Sequence, residues 1–377
     1  MEQEIRFCTA GDGVRLACAA SGAGTPLVKS AHWLTHLQHD WISPIWRHQH
    51  LGLSRHFRLY RYDQRGCGLS DHDVENMGFE AWVRDLETIV DGMGLDRFVL
   101  LGMSQGGPIA IEYAVRHPER VSHLVLYGSY VRGRRHWDGD GDPAREADAL
   151  IELIRLGWHH ENPAFRQVFS SLFIPGADME QVRQFNDLQR RSTSPETAAR
   201  IVSETDRLDV TESARRVRVP TLVLHCEGDA RIPFSEGRRL AGEIPGARFM
   251  PLAGENHIML EGEPAWDALL AEILRFSGAA APAAPKTGAD ALPSGRLAAL
   301  TAREREVALV GPARAGVYIH LMPVFGALLG YLLLGEALQP YHALGAALVA
   351  IGIVLTQRRA AGVITEGREG TSDALVR

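Results

Sequence analysis

The sequence predicts an α/β domain: a mostly parallel sheet with helices on both faces, a helical lid set into it, and a transmembrane-like helical hairpin near the carboxyl end. Three observations carry this. Short apolar runs alternate with stretches of helical periodicity through residues 1–277, the pattern of strands joined by crossover helices. The alternation stops between residues 130 and 217, where only helical patterns occur, and then resumes. Residues 311–359 are far more apolar than the rest.

In chain order, residues 5–7 and 14–17 flank Gly11-Asp12-Gly13, a hairpin signal. Residues 27–30 read as the next strand and 57–62 as another, which ends in YDQRGCGLSD; a helix is expected over 79–93. Next comes RFVLLGMSQGGPIAIEYAV, residues 97–115. Its apolar run 98–101 is what a strand covered on both faces requires. Gly102-Met103-Ser104-Gln105-Gly106 then forms a G-x-S-x-G turn, in which a serine sits at a strained bend and flanking side chains would collide with the crossing strand and helix. Ile109, Ala110, Tyr113 and Ala114 follow at helical spacing. Ser104, with its strand before and helix after, is the candidate nucleophile.

Residues 121–127 give a further buried strand. The region 130–217 carries helical patterns near 143–156, 163–173, 178–189 and 195–205 and reads as a lid, with Trp137, Trp158, Phe165, Phe169, Phe173 and Phe185 expected mainly to pack it against itself. The sheet resumes at 221–225 and 247–251, and an amphipathic helix over 263–276 closes the domain.

A net charge of −6 gives no reason to expect nucleic-acid binding. The start MEQEIRF lacks the basic and apolar regions of a signal peptide, and Cys8, Cys18, Cys67 and Cys226 show no close metal-type spacing, so reduced thiols and a cytoplasmic domain are expected. His32, His36, His39, His48, His50 and His56 crowd one region, and His32 and His36 have helical i, i+4 spacing. The glutamate of H-E-x-x-H is absent, so they are read as packing or solvated histidines, with no metal and no cofactor.

Four spaced segments, YDQRGCGLSD, LLGMSQGG, LHCEGDARIP and ENHIMLEGEPAW, together resemble the α/β-hydrolase family over residues 1–277, in the family's chain order of serine, acid, histidine. The resemblance implies a triad of Ser104, Asp229 and His257. His257 stands in the turn after the last strand and Asp229 just past the strand 221–225; the other position some relatives use for the acid holds Gly128 and Ser129. Asp63 is read as a structural turn residue. For the oxyanion hole, the implied backbone donors are the amides of Gln105 and Trp33, the family's usual His-Gly being replaced by Ala31-His32 before Trp33. The expected activity is a serine hydrolase cleaving a small ester, thioester or lactone; the alternative is a slow-turnover ligand-sensing module from a regulatory protein.

Beyond an Ala/Pro/Gly linker, 278–299, the segment 300–310 opens with a Thr301-x-x-Glu304 capping box and resembles the truncated start of a LuxR-type helix-turn-helix domain, without the recognition helix that DNA binding requires. Residues 311–359 resemble the last two helices of EamA-type drug/metabolite transporters. The run 315–334 is long enough to span, 341–356 is shorter, and Arg314 with Arg358-Arg359 places both ends on the cytoplasmic side. The expectation is a cytoplasmic hydrolase domain tethered to a membrane by this hairpin, with a disordered tail over 360–377; the alternative is a soluble cytoplasmic protein in which the hairpin is buried.

Overall fold

A computed structural model describes residues 2–138, 141–160 and 162–279. Eight strands form one sheet: β1 (Gln3–Thr9), β2 (Arg15–Ser21), β3 (Thr25–Lys29), β4 (Phe57–Tyr62), β5 (Phe98–Met103), β6 (Val121–Tyr127), β7 (Thr221–Cys226) and β8 (Arg248–Leu252). Their spatial order is β1-β2-β4-β3-β5-β6-β7-β8. β2 pairs antiparallel with β1 and β4, and every other pairing is parallel. The burial follows from position: β5 and β7, flanked on both sides, are buried at every residue, whereas the edge strand β1 has none fully buried. The hairpin also brings Cys8 and Cys18 to 3.8 Å, both as free thiols.

The helices are α1 (Leu37–Ile42), α2 (Arg47–Ser54), α3 (Phe79–Gly92), α4 (Gly106–Arg116), α5 (Pro143–Gly157), α6 (Ala164–Phe173), α7 (Met179–Ser192), α8 (Pro195–Arg207), α9 (Thr211–Arg216), α10 (Phe234–Glu243) and α11 (Pro264–Ser277). Between β6 and β7 the chain forms α5 to α9 and a single helical turn at Arg134–His136, as the loss of alternation predicts. Their starts are written locally. Asp142 accepts from the Arg145 amide and Ser194 from the Thr197 amide, each just ahead of a proline in the first turn, and Asp178 with Gln181 closes a capping box.

α1, α2, α9 and α10 were not expected from the sequence. Each has ten residues or fewer, and none has a side-chain cap; such short helices are held by what they pack on. The helical spacing read into His32 and His36 is corrected here. Leu34 between them adopts φ 51°, and α1 starts only at Leu37. The two rings part, His32 lying 4.4 Å from Trp46 and His36 lying 4.3 Å from His39.

The loop after β4 is a buried polar knot. Asp63 accepts from the amides of Leu37 at 2.9 Å and Leu69 at 2.8 Å, tying α1 to the loop, in line with a structural role. Arg65 reaches Asp85 of α3 at 2.6 Å, with both side chains 1 % exposed, and Asp12 of the hairpin at 2.7 Å. Removing only the cation leaves a buried carboxylate without its partner. Arg65→Met should therefore lower unfolding stability by about 3–5 kcal/mol in a denaturant titration; a change under 1 kcal/mol would contradict this account.

The expected linker, LuxR-like start, membrane hairpin and tail (278–299, 300–310, 311–359 and 360–377) lie outside the described residues, except for Gly278 and Ala279. Among the described residues no helix is long and apolar enough to cross a membrane.

Candidate active site

β5 delivers Ser104 to the sheet's carboxyl edge at φ 52°, one of two non-glycine residues in the left-handed region among the described residues. Such a conformation costs roughly 1–3 kcal/mol and persists only where the surroundings enforce it. Here they do. The Ser104 amide donates to Tyr127 O at 3.0 Å, and the Ser129 hydroxyl donates to Ser104 O at 2.8 Å. The flanking glycines are a packing necessity: a Cβ at Gly102 would lie 2.8 Å from the Gly107 Cα, and one at Gly106 would lie 2.7 Å from the Ala31 carbonyl oxygen. α4 starts at Gly106, so the Gln105 amide stands at its positive end.

Asp229 and His257 come from the turns after β7 and β8, and the fold brings them together: His257 Nδ1 lies 2.7 Å from Asp229 Oδ2, with both side chains buried. Because the carboxylate accepts, Nδ1 donates and carries the proton, which leaves Nε2 as the acceptor of the ring. Nε2 has no hydrogen-bond partner among the described residues, and it shares a cavity with Ser104. The Ser104–His257 bond is thus not closed in this conformation; such bonds are often long before substrate binds.

The other Asp229 oxygen accepts from the amides of Arg231 at 2.9 Å and Ile232 at 3.0 Å. Burial pushes the Asp229 carboxyl up, but His257, His225 and the Ile232 amide outweigh it and hold the group below its ordinary value.

Trp33 and Ser104 line the same cavity, whose free volume is about 10 Å³, one water-sized sphere. Its roof is α6. Phe173 meets His257 edge-on at 5.4 Å and lies 6.5 Å from Trp33, and its carbonyl accepts from the Ile258 amide at 3.1 Å. Trp158 and Phe169 also pack on Trp33, at 6.0 and 6.4 Å. The aromatics of 130–217 therefore pack as much onto the Trp33 loop and His257 as onto one another.

Sequence reasoning missed two neighbours of the dyad. His225 donates from Nε2 to Ile232 O at 2.9 Å and stands 3.5 Å from Asp229 Oδ2. Gly128 passes so close that a Cβ there would be 3.1 Å from the His257 ring. His225 is legible only as part of a strand, and its closeness to Asp229 arises from the turn that reverses the chain.

Residues 37–264 match the model of the alpha/beta hydrolase fold, and residues 306–358 match that of the EamA-like transporter family. The chain is 28% identical over 258 residues to the 2-hydroxy-6-oxononadienedioate/2-hydroxy-6-oxononatrienedioate hydrolase of Cupriavidus pinatubonensis, covering 64% of this chain and 85% of that one. It is 27% identical to the non-heme haloperoxidase of Rhodococcus erythropolis, covering 72% and 98%. In fold it is similar to the esterase EaEST from Exiguobacterium antarcticum, with a TM-score of 0.63 at 23% identity over 72% of this chain and 98% of that one. With a family model matching more than half its length and this sheet beneath it, the chain belongs to the alpha/beta hydrolase fold family and is an enzyme of the hydrolase class.

Proposed function

We propose that the chain is a serine hydrolase that cleaves a small ester, thioester or lactone through Ser104, His257 and Asp229. One observation carries the reading: a proton-accepting imidazole nitrogen, oriented by a buried carboxylate, faces the cavity of a serine held at a strained strand-to-helix bend. A serine hydroxyl is a weak nucleophile until a base takes its proton. As Oγ bonds to the acyl carbon, its proton passes to His257 Nε2, and the carbonyl oxygen becomes an oxyanion held by the amides of Gln105 and Trp33. His257 returns the proton to the leaving oxygen or sulfur, which departs and leaves an acyl-Ser104. Water, deprotonated by the same nitrogen, then releases the acid. No metal or cofactor enters these steps.

In this reading the insertion 130–217 is a lid, and the apolar ring of Phe173 favours a substrate with an apolar acyl part. Residues 278–299 are a linker, 300–310 a LuxR-like remnant without a DNA-binding role, and 311–359 a pair of helices that tethers a cytoplasmic hydrolase domain. The family match over 306–358 supports the tether. A slow-turnover ligand-sensing module is the second reading, motivated by the LuxR-like sequence at residues 300–307.

The test is a fluorophosphonate label followed by a panel of p-nitrophenyl esters of rising chain length. We expect one label, on Ser104, and turnover that peaks at a short acyl chain. Labelling elsewhere would reject the assignment, and a label without multiple turnovers would favour the second reading.

A further inference from the structure

β3 ends at Lys29, and the residues that follow, Ser30-Ala31-His32-Trp33, form the loop that carries Trp33 to the side of Ser104. Lys29 is only 4 % exposed, a rare place for an ammonium group. Its Nζ stands 4.3 Å from the centroid of the Trp46 ring, within range of a cation–π contact. Trp46 lies against His32 at 4.4 Å, and His32 Nδ1 donates to the Trp33 carbonyl at 3.0 Å. Three contacts thus connect a buried cation to the loop whose amide is proposed to meet the oxyanion. The loop needs such support, because Leu34 directly after it is the second strained residue, at φ 51°.

The titratable groups facing Lys29 are Asp40 of α1, His50 of α2, Arg61 and Tyr62 of β4, and His32 itself, arranged around a cavity of about 10 Å³, and Tyr127 of β6 across a second small cavity, its phenol kept neutral chiefly by burial. Burial lowers the Lys29 ammonium to about 7, with Asp40 opposing and Arg61 reinforcing the shift. Burial raises the Asp40 carboxyl to about 6 against the pull of Arg61 and Lys29. His32 and His50 are kept neutral chiefly by burial, and the same cause raises the Tyr62 phenol and lowers Arg61. Lys29 is therefore the group of this cluster that changes charge near neutral pH while touching the Trp46 face.

We infer that Lys29 is a positioning residue for the oxyanion loop: through Trp46 and His32, which anchors the Trp33 carbonyl, its ammonium group holds the Trp33 backbone so that the N–H of Trp33 meets the tetrahedral oxyanion. The inference rests on the Ser104 reading above. A misplaced donor weakens the transition state and spares the ground state, so the effect falls on kcat.

The test uses the full chain, a short p-nitrophenyl ester and a trifluoromethyl ketone, which adds Ser104 Oγ to form a hemiketal oxyanion in the hole. Lys29→Met should lower kcat about tenfold at pH 6, leave KM within about twofold, and weaken the ketone about tenfold. Because the wild-type Lys29 loses its charge as pH rises through about 7, the wild-type/Lys29→Met ratio of kcat should shrink towards one by pH 9. Lys29→Arg keeps a cation and should restore kcat to within about threefold, without that decline; it also serves if the methionine variant fails to fold. A ratio that stays constant across pH 6–9, a change in KM alone, or equal ketone affinities would overturn the inference. Failure of the Ser104 reading would show separately, as wild-type protein that fluorophosphonate does not label at Ser104.

Discussion

Ser104→Ala is expected to reduce kcat for a p-nitrophenyl ester by about 10⁴-fold or more, with the folded state unchanged. The substitution removes only Oγ. The backbone bonds that enforce the bend, from the Ser104 amide to Tyr127 O and from the Ser129 hydroxyl to Ser104 O, do not involve it. Thermal unfolding should therefore match the wild type. What survives is the small rate supplied by the oxyanion donors and by substrate binding. Steady-state kinetics alongside circular dichroism checks both halves, and a variant retaining a tenth of the activity would remove Ser104 from the chemistry.

Asp229→Asn should lower kcat about 10⁴-fold as well, for a different reason. Asp229 accepts on both oxygens: from His257 Nδ1 on one side and from the Arg231 and Ile232 amides on the other. An asparagine has one accepting oxygen. If its NH₂ faces His257, Nδ1 must become the acceptor, and the proton moves to Nε2, where a base is needed. If it faces the turn, the amide hydrogens oppose two N–H donors and the turn opens. The pH dependence follows from the lowered carboxyl. A group whose folded value lies below its unfolded one adds stability above the unfolded value, and that contribution disappears as pH falls through the folded one. The carboxylate is thus charged at any pH above its ordinary range. The Asp229→Asn variant should show a smaller loss of stability on acidification below pH 4 than the wild type, read from denaturant midpoints; an identical acid dependence would argue against a charged Asp229 in the folded protein.

The long elements were legible because local rules write them. The run at Phe57–Tyr62 and that at Val121–Tyr127 match the strands at both ends, and α5, α7 and α8 begin where aspartate, serine and proline place their caps. Ser104 was legible from the glycines around it, because backbone crowding permits nothing larger at Gly102 or Gly106. Asp229 and His257 became visible only through resemblance to a family, since no local pattern states that two turns 28 residues apart will meet. The short helices, His225 beside Asp229, and Phe173 over His257 were not legible at all. Each is fixed by tertiary packing, and the aromatics of 130–217 do not say from sequence which of their rings meets His257. The charged cluster around Lys29 was hidden for the same reason: Lys29, Asp40 and Arg61 come from three separate elements, β3, α1 and β4, and no local pattern states that they meet.

The narrow cavity beside Ser104 sets a condition on the proposed catalytic cycle. A space with room for about one water admits no acyl group, so the proposed chemistry requires the roof that Phe173 of α6 forms over Ser104 to shift before a substrate can enter.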